Sequence, residues 1–405
     1  MIRIVNLQSG VRLVLEKMDN VRSTCVGIWC NNGSANERPE EYGISHFIEH
    51  MLFKGTENRT AFDIVDAIDR TGGEINAFTG KETTCFYVKC LDDHLLKSCD
   101  VLVDMIENPL FDRDELEREK LVILEEINMC ADDPDELAMD ELDEVLYHGS
   151  TMSHRILGTS DTVTSFTPEI LRNYYDEHYT RDSIVVSVAG SFDEDEIIEY
   201  FSSHFEELRS EQRKDEKGEL NAKTGVKTIV KDIEQAHIAM GIETVPGRDE
   251  RKYCISLLNT IMGGGMSSRL FQQIREKKGL AYSVYSLAGS YTETGSFVIC
   301  MGVSKNRVEE ALDAVSEELS HLREGITESE FASAKEQVKS SFIFAQESVK
   351  SRMRTNGRNL LALGECPSQE DVLADVDRIT VDQVNEVIDL ISDMNRYSIV
   401  NVTGR

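Results

Sequence analysis

His46-Phe47-Ile48-Glu49-His50 sets two imidazoles four residues apart with a carboxylate between them. On a helix, residues four apart share a face, so both rings can reach one cation. Two neutral imidazoles and one carboxylate are a common catalytic zinc set, with a fourth position left for water. Zinc brings the pKa of such a water toward about 7, and a nearby carboxylate can take its proton during attack on a polarised carbonyl. Glu49, three residues after His46, can reach that water without binding the metal itself. A pair of surface histidines beside a surface acid is the plain alternative, and the motif still needs a third ligand.

The candidate for that ligand is a glutamate on a long helix expected over 112–130. Glu119 and Glu126 are seven apart and share a face, which the spacing also gives to Val122 and Ile123. Two carboxylates on such a face are costly to bury unless paired or metal-bound; a solvated acidic helix is the alternative. His94, His148, His154, His178, His204, His237 and His321 are scattered and lack partners four residues away, so they build no competing site.

Positioning these residues falls to a chain of 405 residues, long enough for two to three domains. Strands are expected over Ile2–Val5, Val11–Glu16 and Ser23–Cys30, and a helix over Gly43–Leu52. A second helix starts at a Thr60/Asp63 capping box and stops at Gly72-Gly73. Strands Glu74–Phe78 and Thr84–Cys90 precede two further helices, the second being Asp112–Cys130. The second half repeats this order. It has strands at Lys227–Lys231 and His237–Ile242, helices near Arg251–Met262 and Ser267–Lys277, strands at Ala281–Ser286 and Ser296–Val303, then helices at Val308–Arg323 and Glu328–Gln346. We read a tandem duplication of one α+β unit, each a largely antiparallel or mixed sheet covered on one side by helices. The polar stretch 207–225 is the expected linker, dividing a zinc-bearing domain, 1–206, from a homologous domain, 226–405. Opposite the first half's motif helix the second half reads Ser256–Met262, with no His or acid.

Composition narrows the function. The chain has 43 Lys+Arg against 74 Asp+Glu, a formal charge of −31. That argues against nucleic-acid binding, which draws on phosphate neutralisation, and suits a basic partner or substrate. No run approaches the roughly 18 apolar residues of a membrane span. The N-terminal stretch alternates like a strand, so no secretory signal is expected there. The nine cysteines are odd in number and contain no C-x-x-C. Cys25/Cys30 and Cys85/Cys90 fall on opposite strand faces, which fits reduced, buried thiols in a cytoplasmic protein.

The sequence resembles the pitrilysin-type M16 zinc peptidases, whose motif is H-x-x-E-H, and within them the short processing-peptidase-like branch. The matching text is Gly43-Ile-Ser-His46-Phe-Ile-Glu49-His50-Met-Leu-Phe-Lys-Gly-Thr56, then Gly72-Gly-Glu-Ile-Asn76-Ala77-Phe78-Thr79, then Glu119 and Glu126. The resemblance implies that His46, His50 and Glu126 bind zinc, that Glu49 is the general base, and that Glu119 orients or assists. It also implies that Asn76, Ala77 and Phe78 form a strand edge to which substrate adds as another strand. In the second half, Gly263-Gly264-Gly265 resembles the family's glycine-rich loop. Arg275 and Tyr282 match its Arg/Tyr pair, in which the Arg grips the substrate backbone and the Tyr supports the oxyanion. Eight acids lie between Asp132 and Glu144, and Glu136 and Asp140 match positions where processing peptidases bind an arginine upstream of the cleaved bond.

A chain of this length corresponds to half of the family's clamshell. The expectation is therefore a homodimer whose zinc sites are completed in trans by Arg275 and Tyr282, cleaving extended, basic peptides. Two other readings stand beside this one. The chain could be a non-catalytic half-shell that binds peptides for a partner chain, or a peptide-binding or metal-storing protein without turnover. Catalytically silent half-shells usually lack part of the motif or the third Glu; this chain keeps both.

Overall fold

The computed structural model describes residues 2–214, 218 and 224–405. Within the expected linker, residues 215–217 and 219–223 lie outside the described residues. The chain forms two compact units: Met1–Asn128 with His154–Lys217 and Phe344–Ser368, and Met129–Ser153 with Gly218–Ile343 and Gln369–Arg405. Two segments thus cross the division read from the sequence. Residues 129–153 pack in the second unit, and 344–368 in the first.

The first unit holds a six-stranded sheet of β1 (Ile2–Asn6), β2 (Arg12–Lys17), β3 (Ser23–Cys30), β4 (Glu74–Thr79), β5 (Thr84–Leu91) and β6 (Ile184–Gly190), in the order β1-β2-β6-β3-β5-β4. Only the β2–β6 pair is parallel. β6 is buried along its whole length, and its Ile-Val-Val-Ser-Val run suits a strand covered on both faces. The second unit's sheet joins β7 (Val226–Lys231), β8 (Gln235–Thr244), β9 (Ala281–Ser290), β10 (Gly295–Ser304) and β11 (Ser398–Gly404), in the order β7-β11-β8-β10-β9. Its one parallel pair, β7–β11, occupies the place of β2–β6. The two orders and directions match strand for strand once β1 is set aside, as a duplication requires.

The helices of the first 210 residues are α1 (Ile44–Leu52), α2 (Ala61–Asp69), α3 (Leu95–Glu107), α4 (Arg113–Asp132), α5 (Pro134–Leu146), α6 (Ser160–Ser165), α7 (Pro168–His178) and α8 (Glu194–Ser202). Then come α9 (Lys252–Gly263), α10 (Val308–Leu322), α11 (Glu328–Gln346) and α12 (Val349–Ala362), with shorter helices after them. In the first unit α1, α3 and α7 share the main core with Leu13, Val26, Phe86 and Val186. The expectation of a sheet covered on one side is corrected here. The opposite face carries α12, whose Val349, Met353 and Leu360 bury Val14, Cys25, Trp29, Cys85 and Tyr87. Glu16 anchors that helix through Arg352 and through Asn356 Nδ2 at 2.8 Å. In the second unit α5 does the same, setting Leu137, Ala138 and Leu142 against Ala239, Val298, Val400 and Val402. Each half of the chain thus contributes one helix to the outer sheet face of the unit built mainly from the other half. None of the nine cysteines is in a disulfide, and Cys25 and Cys85 do lie on the sheet face opposite Cys30 and Cys90. Among the described residues no helix is long and apolar enough to cross a membrane.

Candidate metal centre

A nine-residue helix such as α1 is marginal on its own. Ile44, Phe47, Ile48, Met51 and Leu52 hold it by burying one face in the core, each contributing about 1.5–3 kcal/mol. The other face carries His46, Glu49 and His50. The helix begins at Gly43, whose φ of +92° falls in the left-handed region open to glycine. Gly43 has no side chain to cap the first turn. The buried Glu37 carboxylate substitutes, accepting from Gly43 N at 2.7 Å and Ser45 N at 2.9 Å.

α4 runs past this face. Leu116, Glu119 and Ile123 are its buried residues, and with Glu126 they form one stripe at heptad spacing. Val122 does not belong to the stripe. It lies 49% exposed at the rim, because its position falls beyond Glu126 around the helix.

Glu126 Oε2 stands 3.8 Å from His46 Nε2 and 3.7 Å from His50 Nε2. These separations are too long for hydrogen bonds, so three lone-pair donors face one point without satisfying each other. Ligands on a zinc tetrahedron stand about 3.3 Å apart, so the two separations from Glu126 exceed that spacing by a few tenths of an ångström, and all three donor atoms lie within 4.8 Å of one another. Among the described residues this is the one group of three or more His, Cys, Asp or Glu so arranged. Burial, and then the neighbouring His50, push the His46 pKa down to about 3, so its ring is neutral. His50 Nδ1 lies 3.0 Å from Glu119 Oε2, which fixes the proton on Nδ1 and leaves Nε2 free to donate its lone pair. Glu119 also receives Lys54 Nζ at 2.6 Å. The donor set fits a zinc-type cation.

Glu49 stays out of the triad and accepts from Thr79 Oγ1 at 2.5 Å. Burial pushes its carboxyl above the ordinary carboxylate range, against the pull of Thr79 and His50. A carboxylate tuned upward beside a metal-type donor set is what a general base needs. Thr79 belongs to β4, which pairs only with β5 and leaves its other edge free among the described residues. Ala77 N–H donates to the Asn76 side-chain oxygen at 2.7 Å. The Phe78 ring packs edge-on against Trp29. A groove of about 660 Å³ follows the edge, lined by Glu49, His50, Val65, Asn76, Ala77 and Lys350 among others.

Arg275 and Tyr282 are also brought together, in the second unit. Arg275 lies in the last turn of a π-helical stretch, Phe271–Lys277, and its guanidinium lies 5.1 Å over the Tyr282 ring. Tyr282 is 78% exposed at the start of β9. Glu136 and Asp140 lie on α5, away from the face that buries Leu137, Ala138 and Leu142, and they too belong to the second unit. Sequence reasoning missed Glu37, Lys54, Thr79 and Lys350. Lys54 had a signal, standing four residues beyond His50, and Thr79 directly follows the strand-edge residues; Glu37 and Lys350 had none.

Residues 12–160 match the family model described as insulinase, peptidase family M16, and residues 165–338 match the M16 inactive domain. A protein of Bacillus subtilis named as an uncharacterized zinc protease is 41% identical over 389 residues, spanning 95% of this chain and 94% of its own length. Another so named, from Streptomyces coelicolor, is 37% identical over 397 residues, spanning 95% of this chain and 86% of its own. The crystal structure of a Helicobacter pylori protease superposes with a TM-score of 0.92 at 21% identity, over 100% of this chain and 99% of that one. That of an M16 inactive domain from Pseudomonas fluorescens gives 0.91 at 20% identity, over 100% and 98%. The architecture is therefore the two-domain α+β fold of pitrilysin-type proteins. The chain belongs to peptidase family M16.

Proposed function

We propose that the chain is a zinc-dependent endopeptidase that hydrolyses extended, basic peptides. The observation that carries this is the convergence of His46 Nε2, His50 Nε2 and a Glu126 oxygen, with Glu49 beside them and outside the triad. The naming of the 41% and 37% identical relatives as zinc proteases supports it. His46, His50 and Glu126 would hold the ion. Zinc there supplies the Lewis acidity that lets water lose a proton near neutral pH. Glu49 takes that proton and delivers it to the departing amine nitrogen, a role typically contributing 10²–10⁴-fold. Glu119 holds the His50 ring in its binding tautomer, the His50 hydrogen bond helping to keep Glu119 charged. The free edge of β4 pairs with the substrate backbone, which reads little sequence.

In this reading Arg275 and Tyr282 of the partner subunit complete each site in a homodimer, the Arg on the substrate backbone and the Tyr hydroxyl on the tetrahedral oxygen. Glu136 and Asp140 favour an arginine near the cut. Cysteines without disulfides suit a reducing, cytoplasmic setting. The full donor set favours turnover over a supporting, peptide-binding role.

Incubation with a randomised peptide library, with and without a zinc chelator, tests the reading. Cleavage should vanish with chelator, return with zinc and cluster near Arg or Lys, the basic preference weakening as salt rises. Cleavage indifferent to chelation, or none from the zinc-loaded protein, refutes it.

A further inference from the structure

α12 packs over β6 and β3 on the sheet face opposite α1, and two of its cations, Lys350 and Arg354, reach toward β5 and β4. Lys350 Nζ lies 4.6 Å from the centre of the Tyr87 ring, and Lys350 lines the groove. Four residues on, the Arg354 guanidinium lies 4.4 Å from the centre of the Phe78 ring. Among the described residues neither cation has a carboxylate partner. This is notable in a chain where 74 acids face 43 Lys and Arg.

The spacing of the pair matches a strand. Tyr87 pairs with Asn76 across β4–β5, and Cys85 pairs with Phe78. Lys350 therefore marks the level of Asn76, and Arg354 that of Phe78, two alternate residues on one face of β4. Positions four apart on a helix advance about 6 Å, while alternate residues on a strand advance about 6.6 Å. A peptide added to the free edge of β4 turns every second side chain to this face, at that same step.

We propose that Lys350 and Arg354 form a two-rung carboxylate subsite, selecting peptides with Asp or Glu at two positions two residues apart. The inference rests on the strand-edge reading of Asn76, Ala77 and Phe78. It adds an acidic requirement at positions facing α12, separate from the basic preference assigned to Glu136 and Asp140. Aromatic rings beneath both cations hold them in place while leaving their charge available.

Binding to the Glu49→Gln protein tests the subsite apart from hydrolysis. The probes are fluorescent extended peptides identical except for Glu or Gln at a pair of alternate positions, scanned along the sequence and read by anisotropy. One register should favour Glu by roughly tenfold for the pair at low salt, and less as salt rises. Lys350→Gln/Arg354→Gln should abolish that ratio, and Lys350→Glu/Arg354→Glu should invert it toward matched Lys peptides. Thermal melts confirm that both double variants are folded. Equal affinity for Glu and Gln peptides in every register, or a ratio that survives in the folded double variants, overturns the proposal and leaves the cations as covers for Tyr87 and Phe78. Cleavage by the unaltered protein, measured in parallel, reads the peptidase assignment alone.

Discussion

Replacing Glu119 by Gln separates a ligand-orienting role from a structural one. Glu119 is 4% exposed and has two partners, His50 Nδ1 at 3.0 Å and Lys54 Nζ at 2.6 Å. Burial alone would raise its carboxyl, but the hydrogen bonds from His50 and Lys54, with the Lys54 charge, outweigh it and hold the group below the ordinary range. It is therefore an anion at neutral pH, and the His50 Nδ1–H bond is charge-assisted. The amide keeps the shape and loses the charge. Orienting partners of metal-bound histidines typically contribute 10–100-fold in affinity, or about 1.4–2.7 kcal/mol. Lys54 is 31% exposed at its side chain and can turn to solvent, so the cost to folding should stay near 1 kcal/mol. Competition for zinc against a chromophoric chelator at pH 7 reads the first quantity, and melting of the metal-free protein the second. Lys54→Met is the control, since it removes the other partner while His50–Glu119 remains; its zinc affinity should stay within about threefold. Unchanged affinity in Glu119→Gln, or an equal loss in Lys54→Met, would refute the argument.

Glu49→Gln should keep zinc binding within a small factor and lose hydrolysis by at least about 10²-fold; loss of the metal in that variant would make Glu49 a ligand. Glu49→Gln chains mixed with Tyr282→Phe chains should recover part of the activity through heterodimers, and no recovery despite verified subunit exchange would exclude completion in trans. In the second unit, burial would raise the Glu330 carboxyl, but hydrogen bonds from Arg269 (2.6 and 2.9 Å) and Thr327 bring it down to about 2. A depressed acid stabilises the fold above its unfolded value of 4.5 and loses that contribution as pH falls toward about 2. Glu330→Gln should therefore cost about 2 kcal/mol at pH 7, allowing for its partial exposure, and little near pH 2. Urea titrations that show the same deficit at both pH values would contradict this.

The motif helix was legible because its information is local. Positions 46, 49 and 50 share a face at helical pitch, and the same arithmetic places Glu119 over Glu126. Hairpin-linked β4/β5 and β9/β10 were legible for the same reason. β6 and β11 were not read. Both pair with strands far away in sequence, and each inserts between a parallel and an antiparallel neighbour, a placement that no local period encodes. The exchange of α5 and α12 was equally hidden. Either helix shows only a few apolar residues on one face, and a face does not specify which sheet it will cover. Val122 illustrates the same limit on a finer scale: spacing put it near the carboxylates, and burial went to Ile123 and Leu116 instead.

Duplication shows how a metal-type donor set can stand in one unit and be missing from its copy. In the first, Thr79 of β4 donates to Glu49 of α1; in the second, Ser286 of β9 donates to the Asn259 side-chain oxygen of α9 at 2.8 Å. The hydroxyl-to-helix bond is retained while the carboxylate has become an amide that cannot act as a base. With Asn259 opposite Glu49, Ser256 and Thr260 fall opposite His46 and His50, and Thr260 spends its hydroxyl on the Ser256 carbonyl at 3.0 Å. Glu126 lies as far past the Asp112 cap of α4 as Ser341 lies past the Thr327 cap of α11. Every donor of the first site thus meets a neutral, weakly ligating counterpart in the second. The helix and strand that frame the site are built by packing, the same in both units, whereas metal affinity comes from donors that packing does not require. One unit can therefore lose such donors and keep the scaffold, which leaves a single donor set among the described residues.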